Sequence, residues 1–74
     1  MRNHKPSALF NIRRARTLSQ TDLAQLVEVS QQTISKAESG KAFPSRDVQE
    51  RIAAVLGAPR HELFPEADTE AVMS

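Results

Sequence analysis

A chain of 74 residues makes one small domain, which at this size buries only about 60% of the surface its unfolded chain exposes. It has no cysteine, which excludes disulfides and thiolate metal sites, and its longest apolar run, residues 52–56, is far too short to span a bilayer. The net charge of +1 hides an asymmetry: residues 1–46 hold eight Lys/Arg against three Asp/Glu, and residues 47–74 hold two against six, so the first part offers phosphates a positive surface.

Residues 1–6 are polar and read as a loose arm ending at Pro6; Arg2, His4 and Lys5 precede no apolar stretch, so no signal peptide is expected and the chain reads as cytoplasmic. Ser7 is a candidate N-cap for a first helix, with Leu9 and Ile12 on its apolar stripe and Phe10 and Ala15 beside it. Arg13, Arg14 and Arg16 cluster in its last turn, where cations suit the helix dipole; Arg14 and Arg16 read as capping and solubilising charges, with contact to phosphates as the alternative. Ser19 offers a second N-cap, with Asp22 at capping-box spacing and Leu23, Ala24, Leu26 and Val27 recurring at helical spacing. The pattern breaks at Glu28–Val29, Ser30 caps a third helix, and Gly40 stops it.

On a helical wheel, Gln31, Ser35, Ser39, Gln32 and Lys36 share one arc of the third helix, while Thr33, Ala37, Ile34 and Glu38 share the other. The outer arc carries amides, hydroxyls and an ammonium but no carboxylate, whereas a merely solvated helix normally mixes acids with bases. Such a face suits DNA: amides bond adenine N6/N7, lysine bonds guanine O6/N7, and hydroxyls reach bases or phosphates. The alternative is a polar surface helix with no partner. Arg13, four residues after Leu9, and Glu38, four after Ile34, both point inward, and opposite charges on two buried faces are expected to pair.

Residues 41–44 form a loop, Ser45 caps a fourth helix with Val48, Ile52, Val55 and Leu56 on its stripe, and Gly57 ends it. Pro59 suits the first position of a short fifth helix running from Arg60 to Phe64, whose Leu63 and Phe64 close the core or meet a partner. Residues 66–74 are acidic and short of apolar groups, so a frayed tail is expected. Catalytic chemistry has little to stand on: His4 and His61 lack a second ligand at metal spacing, and the adjacent Ser35 and Lys36 turn apart on a helix. Neither an enzyme nor a metal or cofactor site is expected.

Residues 8–64 resemble the Cro/repressor-type (XRE-like) helix-turn-helix family, which includes the phage lambda and 434 repressors. The resemblance is carried by LSQTDLA, VSQQTISKAESGK, PS, IAAVLGAP and ELF in the family's order, and the paired Gln31–Gln32 look like those of the 434 repressor. It implies an all-α, compact five-helix lambda-repressor-like domain, with helices near residues 7–16, 19–27, 30–39, 45–56 and 59–64. The third helix would then enter the major groove, with Gln31, Gln32, Ser35 and Lys36 at base edges. Ser30 would reach a phosphate or a thymine methyl. Gln20 would grip phosphate and brace the recognition helix, and Ser39, Lys41 and Arg46 would hold the backbone. The family also pairs an arginine and a glutamate at the places of Arg13 and Glu38, and often has glycine where this chain has Thr17 and Glu28.

The function so implied is a sequence-specific double-stranded DNA-binding regulator, a repressor, bacterial or phage-encoded, with no cofactor. Its operator would be two-fold symmetric. The homodimer would be weak or DNA-assisted, built through the corner from Gly57 to Phe64. One rival is a DNA-binding antitoxin, whose acidic tail meets a toxin, or a restriction-modification controller. A more distant rival is a protein-interaction module that keeps the fold without reading DNA.

Overall fold

The computed structural model describes residues 7–65, so the expectations for the arm 1–6 and the tail 66–74 lie outside the described residues. Among those residues are five helices and no strand: α1 (Ala8–Ala15), α2 (Gln20–Val27), α3 (Gln31–Ser39), α4 (Arg46–Leu56) and α5 (Arg60–Leu63). Four of them open at a serine. The hydroxyl oxygens of Ser7, Ser19, Ser30 and Ser45 accept from the N–H groups of Phe10, Asp22, Thr33 and Val48, donors that a helix start otherwise leaves orphaned. At α2 the Asp22 carboxylate accepts the Ser19 N–H at 3.1 Å, completing a capping box with Asp in the position Glu or Gln usually holds. At α5 the expectation shifts. Pro59 precedes the helix with ψ at 144° instead of opening it, and Phe64 lies beyond its end at φ −132°, with its side chain buried in the core.

The first four helices end alike. Thr17, Glu28, Gly40 and Gly57 all sit in the left-handed region, at φ 61°, 64°, 76° and 69°. Past each, the next N–H reaches back five residues: Leu18 to Arg13 O, Val29 to Ala24 O, Lys41 to Lys36 O and Ala58 to Ala53 O. This is the Schellman arrangement, and three of those next residues, Leu18, Val29 and Ala58, pack against the core as the motif favours. Two of the four left-handed positions therefore hold a residue with a Cβ. The α2–α3 turn is one of them, closed by Glu28, Val29 and Ser30.

The core gathers Leu9, Leu23, Ala24, Val27, Ile34, Ala37, Ile52, Ala53, Leu56, Leu63 and Phe64. Phe43 meets Phe64 edge to face at 6.4 Å, pinning the α3–α4 loop against the end of α5. Two members of the apolar stripes stay outside: Leu26 is 57% exposed and Val55 39%. Leu26 lies on the flank of the Leu23–Ala24–Val27 stripe. The buried side of α4 runs through Gln49, Ile52, Ala53 and Leu56, rotated away from Val55. Gln49 sits inside because its amide is satisfied there, donating to Pro44 O and accepting from Arg60 Nη1, each at 2.9 Å.

Candidate nucleic-acid interface

α3 buries Ile34 and Ala37 against its neighbours and leaves Gln31, Gln32, Lys36 and Ser39 exposed, with Ser35 half-buried between them. α2 and α1 both pack against α3, so its apolar side is covered and its amide-bearing side is open. The helix has one acid, Glu38, and it is turned away from this surface. Its side chain is 6% exposed, as is that of Arg13. The guanidinium meets the carboxylate twice, Nε to Oε2 at 2.5 Å and Nη2 to Oε1 at 3.2 Å, while Nη1 donates to Leu18 O at 2.7 Å. A planar guanidinium with several donors satisfies such a buried carboxylate in a way an ammonium does not.

Polar contacts continue outward from that pair. Gln20 Nε2 donates to Glu38 Oε1 at 2.9 Å, and Gln20 Oε1 accepts from Gln31 Nε2. Gln20, Glu38 and Gln31 are thus brought into one chain that starts at a buried ion pair and ends at the open face. Ser30 keeps its hydroxyl for the α3 cap and lies 3.0 Å from Thr33 Oγ1, and Ser39 Oγ donates to Lys36 O at 3.2 Å. Lys41 is exposed just past the α3 terminus. Arg46, at the first turn of α4, lies 3.9 Å from Glu50, both exposed.

Three partnerships escape sequence reasoning. Arg16 Nε donates to Leu56 O at 2.9 Å, so its side chain caps α4 while its backbone N–H closes α1. Arg14 stacks on Phe10, 5.5 Å from the ring centroid. Arg60 lies 3.5 Å from Glu50, which places an acid behind Arg46. Only the four-residue spacing of Phe10 and Arg14 carried a signal for any of these. Among the described residues no group of His, Asp and Glu could hold a metal ion, and no helix is long and apolar enough to cross a membrane.

The chain is similar to known proteins in sequence. Multiprotein-bridging factor 1a of Arabidopsis thaliana is 35% identical over 51 residues, which is 69% of this chain and 36% of the relative, so the match spans about a third of that protein. The model of a family described as a helix-turn-helix domain matches residues 9–64, from the buried Leu9 of α1 to the buried Phe64 past α5. That stretch takes in both helices of the motif, the left-handed turn between them and the open amide face, and the chain belongs to the helix-turn-helix domain family.

Proposed function

We propose that this chain is a sequence-specific double-stranded DNA-binding regulator, acting as a repressor by occupying its operator. One observation carries the reading: the open side of α3 presents Gln31, Gln32, Ser35, Lys36 and Ser39 without a carboxylate, while the only acid of the helix is held inward by Arg13. α3 enters the major groove N-terminus first, with Gln31, Gln32, Ser35 and Lys36 at base edges. Gln20 and Ser30 lie at the start of the motif's two helices, where free N–H groups favour phosphate, and Ser39, Lys41 and Arg46 hold the backbone beyond α3. One copy covers a half-site, so a two-fold operator takes two copies, with recognition helices about 34 Å apart.

A second reading is favoured by the relative's name, which speaks of bridging proteins. There the fold would serve as a protein-interaction module, and the exposed α3 face would meet a protein. Selection of bound duplexes from a random pool separates the two. The DNA reading expects an enriched motif of two half-sites. A pool that stays random, with no duplex retained at low salt, overturns it.

A further inference from the structure

Arg46, the proposed backbone contact on α4, already has a partner. The Glu50 carboxylate lies one turn further along the helix, with Oε2 3.9 Å from Arg46 Nε, and the same oxygen lies 3.5 Å from Arg60 Nε. One carboxylate therefore stands between two guanidiniums of unlike setting. The Arg46 side chain is 71% exposed and that of Arg60 13%. Arg60 is also fixed from behind, since its Nη1 donates to the buried Gln49, whose Nε2 donates in turn to Pro44 O. Arg60 thus keeps Glu50 in place, and Arg46 is the partner that can leave. The neighbouring ion pair on α4 is closer. Asp47 and Arg51 run acid first, the order the helix dipole favours, and meet at 3.1 Å in a hydrogen bond. Arg46 and Glu50 run base first, the less favoured order, and stop at 3.9 Å.

Resting on the DNA reading, we infer that Glu50 is a built-in competitor for phosphate: by drawing Arg46 to itself it lowers affinity for every duplex alike and leaves base selection to α3. An exposed pair of this kind is weak enough to open, so a phosphate arriving at Arg46 exchanges one anion for another. The exchange does not strand Glu50, because Arg60 stays beside it. Sequence-independent binding comes from cations placed on phosphates, and a carboxylate that occupies one of those cations shortens retention on unrelated DNA.

The test is Glu50→Gln, made in the parent and again in Arg46→Ala. Glu50 is exposed and Arg60 keeps its bond to Gln49, so the variant is expected to fold as the parent does, checked by urea unfolding. Affinities are measured for a mixed-sequence duplex and for the duplex that selection enriches. At low salt Glu50→Gln is expected to bind both about two- to fivefold more tightly, the range an exposed ion pair supplies, with the ratio between them unchanged. The gain should fade as added salt screens the pair. Most of it is expected to vanish in Arg46→Ala, where the cation that Glu50 competes for is gone. An unchanged affinity in Glu50→Gln overturns the inference and leaves the DNA reading standing. So does a gain as large in Arg46→Ala as in the parent, since that is the general field of one lost negative charge. A shifted ratio between the two duplexes would put Glu50 in base choice and overturn it as well. A parent that binds neither duplex overturns the DNA reading, and the inference falls with it.

Discussion

Thr17 and Glu28 hold left-handed backbone that glycine holds at the ends of α3 and α4. A residue with a Cβ costs about 1–2 kcal/mol there, and glycine returns roughly 0.5–1 kcal/mol of that through its freer unfolded chain. Glycine at either position is therefore expected to raise stability by about 0.5–1 kcal/mol, measured by urea unfolding. The gain should be larger at Thr17, whose branched Cβ tolerates this region worst, although its hydroxyl recovers something by donating to Arg16 O. Arg13 and Glu38 make the opposite case. Arg13→Ala or Glu38→Ala strands a buried charge and is expected to cost about 3–5 kcal/mol, most of the stability of a domain this small. The Arg13→Met, Glu38→Leu pair is expected to unfold near the parent's midpoint, and a loss as large as that of either single change would show that the pair itself holds the helices together.

At the scale of the element, α3 joins two unlike faces. Its buried side, Ile34 and Ala37, is small enough for α1 and α2 to approach closely, which keeps the amide side clear of the body of the molecule. The proposed roles along it separate by measurement. Gln32→Ala is expected to relax base preference, losing about 1–3 kcal/mol against the preferred site, whereas Lys41→Ala should weaken all sequences alike. Binding curves on a panel of duplexes give both, and equal weakening in the two variants would remove Gln32 from base readout. α3 and α2 were legible from their serine caps and from residues 28–30. The stripe of α4 holds at Val48, Ile52 and Leu56 and fails at Val55, while Gln49 is buried because Pro44 and Arg60 satisfy its amide.

At the scale of the whole molecule, the basic part of the chain contains the α2–α3 motif and the acidic part contains α4 and α5, so the field is uneven despite a net charge of +1. Binding is expected to fall with salt by about 0.9 in log K per neutralised phosphate, read from titrations at several salt concentrations. The corner from Gly57 to Phe64 offers little apolar surface for a partner copy, since Leu63 and Phe64 are spent on the core. Ultracentrifugation is accordingly expected to find single copies free in solution and two on a two-fold operator. A tight dimer without DNA would place the interface elsewhere, and the exposed Leu26 and Val55 would be the first positions to examine.

The chain order of caps, apolar spacings and left-handed stops determined five helices and the acid-free face of α3, because capping and amphipathic period act within a few residues. Only the folded arrangement decided that Arg16 closes α4, that Gln49 is buried, and that Gln20 stands between Glu38 and Gln31. Those contacts join residues 11 to 40 positions apart, and nothing local specifies a partner at that distance. A side chain's own chemistry states what it can bond; the packing of the helices states which bond is within reach.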